Sequence, residues 1–313
     1  MSEGTKARLD FVLAFWWHCV RLKKMANSQP VVLSIAGYDP SSGAGVTADI
    51  KTLAAHGCYG VSCITALTVQ STTGVTQVQA VSGKLVADTL HELAKDFQIS
   101  AVRIGMLGSA EVVEAVAEGL KKANFPNIVL DPIFKSSSGA TLLDRKGIDV
   151  LRQKLVSLST VITPNADEAI ALTGLPVSNL PEMKAAASKL HELGAKNVVV
   201  TGGDMSSATR EKAIDLLSMQ TESGCVQEEF SSERIKSKST HGTGCAFATA
   251  LAANLALGKQ LSDAVVLAKA FVKKAIAQAH PLGRGVGPLN HLYRLEETPR
   301  VQQESLHHAL KDH

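Results

Sequence analysis

An α/β fold, built on a mostly parallel sheet with helices on both faces, is predicted by three features of this 313-residue chain. From Val31 onward, short runs rich in Val and Ile alternate with longer amphipathic stretches, the rhythm of βαβ units. Those short runs are apolar throughout rather than alternating, as strands buried on both faces are. Gly-, Ser- and Asn-rich turns follow them directly, at the strand ends where open α/β sheets bind ligands.

In order, "VVLSIA" (31–36) reads as a strand, "GVTADIKTLAAHG" (45–57) as a helix and "GVSCITALTV" (60–69) as a second strand. Then come a helix in "GKLVADTLHELAKDF" (83–97), a strand in "AVRIG" (101–105), a helix in "SAEVVEAVAEGLKKAN" (109–124) and a strand in "NIVLD" (127–131). "TVITPN" (160–165), "PEMKAAASKLHELG" (181–194) and "NVVVTGG" (197–203) continue the alternation. "AIDLLSMQ" and "CVQEEFS" read as an antiparallel hairpin turning at Glu222 to Gly224, and two long helices starting near Gly242 and Leu261 close the unit. No Pro/Gly/Ser-rich linker interrupts the pattern, so residues 29–292 are expected to form one domain. Residues 1–28 read as an extension outside the fold, and residues 293–313 as a loosely held tail.

The composition, 45% hydrophobic and 19% charged, is that of a globular protein with ample core material. Its net charge of +3 is accounted for by Lys6, Arg8, Arg21, Lys23 and Lys24 against Glu3 and Asp10, which leaves no basic field for nucleic acid. "FVLAFWWHCV" is too short an apolar run to span a bilayer and is not followed by a signal-peptidase pattern, so no membrane role is expected. Five scattered cysteines without CxxC spacing indicate neither disulfides nor zinc, and a cytoplasmic location is expected.

Three stretches carry candidate chemistry. "AGYDPSSGAGVTAD" (36–49) contains a formal dinucleotide fingerprint, but six residues separate its first glycine from the strand end and the next strand brings no acidic residue. A dehydrogenase is therefore disfavoured, and Asp49 is expected to point into the strand-end crevice. "TPNADEA" (163–169) offers Asn165 as a helix N-cap with Asp167 and Glu168 in the first turn, a pattern that helix capping alone explains. "STHGTGCAFATALA" (239–252) places Gly242, Thr243 and Gly244 at a helix mouth, where unpaired backbone amides and the helix dipole make an anion site. Cys245, just inside that mouth, is expected to have its thiol pKa lowered. No GxxxxGK[ST] sequence occurs, so a P-loop nucleotide enzyme is not expected.

Together these stretches, with "RIGMLGS" and "VLDPI", resemble the hydroxymethylpyrimidine and phosphomethylpyrimidine kinases of the ribokinase-like superfamily, over about residues 30–292. The resemblance implies a three-layer α/β/α fold, ATP and Mg²⁺, and two successive phosphorylations of 4-amino-5-hydroxymethyl-2-methylpyrimidine. It implies that Gly37, Asp49, Gln70, Met106 and Ile133 face the pyrimidine, and that Asn165, Thr201 and Gly203 lie on the nucleotide side with Glu168 near the metal. Gly242, Thr243 and Gly244 would then hold the migrating phosphoryl group, and Cys245 would stand where many sugar kinases of the superfamily carry an Asp base. A homodimer is expected. Tyr38, Phe134 and Thr201 depart from the usual pattern of the resembled kinases, which bears on substrate preference. The competing readings are a pyridoxal kinase of the same superfamily, a non-catalytic binding module, and a thiol hydrolase that pairs Cys245 with His241.

Overall fold

The computed structural model describes residues 29–203, 212–222 and 224–296. The expected extension at residues 1–28 lies outside the described residues. One nine-stranded sheet runs in the order β3-β2-β1-β4-β5-β6-β7-β8-β9. The strands are β1 (Val31–Tyr38), β2 (Tyr59–Ser71), β3 (Gly74–Ala80), β4 (Ile99–Ile104), β5 (Ile128–Leu130), β6 (Val161–Ile162), β7 (Asn197–Val200), β8 (Lys212–Thr221) and β9 (Gly224–Glu233). The six strands from β2 to β7 pair in parallel, while β3 at one edge and the β8–β9 hairpin at the other are antiparallel. After β1 the chain first adds β2 on one side and later β4 on the other, so the order reverses between β1 and β4. Such a switch point opens a crevice at the strands' carboxyl ends.

Successive strand residues supply the two faces with the period of two that a pleated strand imposes. Leu33, Ile35, Val102, Ile104, Val198 and Val200 pack into one core, and Val32, Ala101 and Val199 into the other. The first core is covered by five helices, α2 (Gly83–Asp96), α3 (Ala110–Ala123), α4 (Arg145–Lys154), α5 (Ala166–Thr173) and α6 (Leu180–Glu192). The second lies under α1 (Gly45–Ala55), α7 (Thr243–Ala256) and α8 (Leu261–Ala277), so the molecule is the expected three-layer α/β/α fold. Eleven of the fourteen residues of α7 are buried, which its alanines permit by letting the sheet, α1 and α8 all approach closely. A larger side chain there would overpack the core at a cost of about 1–3 kcal/mol.

Three differences from the sequence reading have physical causes. Edge strand β3 is half-exposed and rich in Gln and Thr, so it lacks the apolar run that marks a buried strand. Helix α4, "RKGIDVLRQK", buries only Gly147 and Leu151, and with five of its ten residues charged it has too little apolar content to stand out. Tyr293, assigned to the loose tail, begins the short helix α9 (Tyr293–Glu296), is 3% exposed and packs its ring 5.4 Å from Phe271.

Candidate active site

The β1–α1 loop and the turn before α7 interlock at the switch point. Asp39 organises the first. Its Oδ1 accepts from Ser41 N–H (2.8 Å) and Ser41 Oγ (2.7 Å), and its Oδ2 accepts from Ala44 N–H (2.9 Å) and His241 Nε2 (2.9 Å). Burial pushes the Asp39 pKa up, but these donors outweigh it and hold the carboxyl below its ordinary value. With Nε2 committed to Asp39, His241 also meets Gln70 Nε2 at 3.2 Å and turns Nδ1 to Ser137 Oγ at 3.4 Å. Among the described hydrogen bonds His241 has none to Cys245, so the pair needed for a thiol hydrolase is not assembled.

Gly242 is the hinge of this interlock. Its φ of 84° is left-handed, and a Cβ there would stand 1.9 Å from Gly43 O. Only glycine meets both demands. As N-cap of α7 it offers no side chain to the first amides of the helix, and nothing lies within 4 Å of where a Gly244 Cβ would project. The mouth of α7 is therefore an uncapped helix N-terminus with open space before it, which suits an anion.

Cys245 lies 8% exposed behind that mouth. The expected lowering of its pKa is overturned: burial, opposed by Arg103 but reinforced by Asp131 and Asp49, raises the thiol to about 11. A hydrogen bond from the Gly45 backbone N–H works in the helix-dipole sense, but desolvation is the larger effect.

The pyrimidine-side residues divide. A Cβ on Gly37 would meet Met106 Sδ at 2.8 Å, and Met106 shares a small apolar cluster with Ala66, Leu142 and Ile133. Gly37, Met106 and Ile133 thus share one small apolar patch, and Gln70 lies beside His241. Asp49 corrects its expectation. Far from pointing into the crevice, it is 0% exposed, with Oδ1 accepting from Thr249 Oγ1 (2.7 Å) and Oδ2 from Ser34 Oγ (2.6 Å) and Arg103 (3.0 Å). A charge on the inner face of α1 is satisfied by the interior, not by a ligand. Phe134 is likewise in the core at 5% exposure, whereas Tyr38 is 36% exposed at the end of β1.

On the far side of the sheet centre, Asn165 and Glu168 form a complete capping box. Asn165 Oδ1 accepts from Glu168 N–H and Glu168 Oε2 from Asn165 N–H, both at 2.9 Å. Asn165 bridges to Thr201 at the ends of β6 and β7, and Thr201 N–H donates to Pro164 O (2.9 Å). Arg234 donates to the carbonyls of Gly202 and Gly203, while the Asp215–Lys269 pair (2.6 Å) holds Gly202 N–H from beneath. The four residues expected on this side are therefore neighbours on one rim.

Sequence reasoning missed Arg103, Asp131 and the anchoring role of Asp39. Arg103 stands in an ordinary apolar strand run, and only its being a charge in such a run could have singled it out.

A mostly parallel three-layer α/β/α sandwich, with an uncapped glycine-bordered helix mouth at the switch point of its sheet, defines a ribokinase-like phosphotransferase. Residues 39–290 match the phosphomethylpyrimidine kinase family, and the chain belongs to it. The hydroxymethylpyrimidine/phosphomethylpyrimidine kinase of Haemophilus influenzae is 41% identical over 260 residues, 83% of this chain and 96% of that protein. The thiamine biosynthesis bifunctional protein of Geobacter sulfurreducens is 42% identical over 85% of this chain, which spans only 53% of that longer protein. Among solved structures, the Bacillus subtilis pyridoxal kinase in its ADP complex superimposes with a TM-score of 0.76 at 34% identity, covering 86% of this chain and all of that one. The Clostridium difficile phosphomethylpyrimidine kinase gives 0.69 at 34% identity, covering 79% and 100%. No described helix is long and apolar enough to cross a membrane.

Proposed function

We propose that this protein transfers the γ-phosphoryl group of ATP to 4-amino-5-hydroxymethyl-2-methylpyrimidine and then to its monophosphate, giving the diphosphate used in thiamine biosynthesis. The observation that carries this reading is the uncapped mouth of α7, open in front of Gly244, with Gln70 beside the His241 that leads into it. In the first step the hydroxymethyl oxygen bonds to phosphorus as the bond to the ADP oxygen breaks, and the hydroxyl proton passes to Cys245 Sγ in the small thiolate fraction that a thiol raised to about 11 retains at neutral pH. The Gly244 amide faces the charge on the transferring oxygens, usually the largest catalytic contribution, while the Thr243 N–H donates to Thr240 O at 3.3 Å within the turn. In the second step the nucleophile is an ionised phosphate oxygen, so no proton need move. A Gln amide can both donate to a ring nitrogen and accept from an exocyclic amine, which suits an aminopyrimidine held against Met106 and Ile133.

Asn165, Thr201 and Gly203 take the nucleotide side. Hard oxygen donors at Glu168 and Asn165 fit Mg²⁺, which keeps several waters and pairs one or two carboxylates with substrate phosphates. Glu168 would hold it through water, and bound Mg²⁺ would neutralise phosphate charge. A homodimer is supported by the apolar Ile64, Leu67 and Val69 exposed on β2, and a cytoplasmic location by ATP use and the four free cysteines among the described residues.

The pyridoxal kinase reading is favoured by one observation, the TM-scores near 0.76 with pyridoxal kinases of Bacillus subtilis and Staphylococcus aureus. ADP release measured in parallel with hydroxymethylpyrimidine, its monophosphate and pyridoxal decides between them. Turnover on both pyrimidines with little on pyridoxal is expected; turnover on pyridoxal alone would replace the present reading.

A further inference from the structure

Beneath the mouth of α7 lies one buried cation shared by two carboxylates and close to the Cys245 thiol. The Arg103 side chain is 0% exposed. It donates from one terminal nitrogen to Asp49 Oδ2 (3.0 Å) and from the other to Asp131 Oδ2 (2.6 Å), and its charge bears on the Cys245 sulfur, whose pKa it lowers. Its Nε is buried without a partner. Gly105 leaves the guanidinium its room, because a Cβ there would come within 2.0 Å of a terminal nitrogen.

We propose that Arg103 is a positioning residue for Cys245, and that the charge on Asp131 decides how far its guanidinium is available to the sulfur. The inference rests on the reading of Cys245 as the proton acceptor, and it names the device that sets the basicity of that sulfur. Asp49 cannot play the part of Asp131, because Ser34 Oγ and Thr249 Oγ1 also donate to its carboxylate and hold it in place. Asp131 has no such helpers: its Oδ2 rests on Arg103 alone among the described side-chain hydrogen bonds. A cation shared by two carboxylates leaves one negative charge uncompensated in the interior, and that charge opposes a thiolate. Once Asp131 takes a proton, the network of Asp49 and Arg103 is neutral and the guanidinium can face the sulfur. Consistent with this, burial raises Asp131 to about 6, with Arg103 opposing and Asp49 reinforcing the rise, so its charge changes close to neutral pH. Among the described residues, Arg103, Asp131 and Asp49 are the charged groups that bear on Cys245.

The test is the thiolate absorbance at 240 nm titrated in the full chain, taken as the difference between each protein and its Cys245→Ala counterpart. Asp131→Asn keeps the shape and removes the charge, so the Cys245 midpoint should fall by at least about one pH unit, a tenfold gain in thiolate. Gly105→Ala crowds the guanidinium away and should move the midpoint upward. Opposite shifts separate electrostatic control from general disruption, which would move both variants alike. An unchanged midpoint in Asp131→Asn overturns the proposal. Parallel kinase assays separate the two levels: a shifted midpoint in a protein whose Cys245→Ala variant keeps its first-step rate upholds the network and removes the base role instead.

Discussion

The two faces of the sheet carry helices that begin in opposite ways. On one face all five helices are closed by their own side chains: Ser82, Ser109, Asp144, Asn165 and Asn179 each accept from a first-turn amide. On the other face α1, α7 and α8 start at Ala44, Gly242 and Gln260, none of which caps through its side chain. A capped N-terminus has spent its free amides on stability, worth about 1 kcal/mol per helix, and has fewer left for a ligand. An uncapped one forgoes that stability and keeps an anion site. The division of labour is clearest between α5, locked by its Asn165–Glu168 box, and α7, open at Gly244.

Gly242→Ala should break the contrast most severely, because it imposes a left-handed φ on a residue with a side chain and drives that side chain into Gly43 O. A fall in kcat/KM of about 10³ is expected, from misdirected amides of the kind whose loss costs 10²–10³ each. Chemical denaturation should show a stability loss of about 1–3 kcal/mol. Next comes Cys245→Ala, expected to slow phosphorylation of the alcohol by about 10² and of the monophosphate by much less; equal losses on the two substrates would contradict a proton-accepting role. The same variant has a pH signature. The folded thiol titrates at about 11 against an ordinary 9.0, so its contribution to stability is full below pH 9 and is lost as pH rises toward 11. Cys245→Ala should accordingly lose less stability than the parent across that interval, although the buried Cys58 and Cys63 keep their own alkaline sensitivity.

Gly244→Ala sharpens the comparison by separating the two currencies. Its Cβ meets no protein atom, so helix propensity predicts a gain of up to about 1 kcal/mol in stability. Activity should nonetheless fall about tenfold, since the methyl group enters the space assigned to the phosphoryl group. A variant both more stable and fully active would remove Gly244 from the site. Asn165→Ala should have the smallest effect, about 1 kcal/mol from the lost cap. Its KM for ATP should rise a fewfold while kcat holds, readable in the same ADP-release assay.

Much of this organisation is local and was therefore legible in the chain itself. Strand runs, the β8–β9 hairpin and the Asn165 box follow from residues close in sequence, whose propensities and capping geometry need no distant partner. Glycine placement in "HGTGC" likewise announced an open helix mouth. Asp49 was misread because its place early in α1 says nothing of which face of the helix it occupies, and that face is set by Arg103 on β4, 54 residues away. For Cys245 the local rule, a helix N-terminus, gave the wrong sign, since burial among Asp49, Arg103 and Asp131 depends on three separate strands and helices converging. Local sequence determined the α/β/α class and the open mouth of α7, because backbone hydrogen bonding and side-chain capping act over a few residues. Tertiary structure alone decided the charge state of the group behind that mouth, because desolvation and Coulomb energies are set by distances in space and by the exclusion of water, which no short stretch of sequence contains.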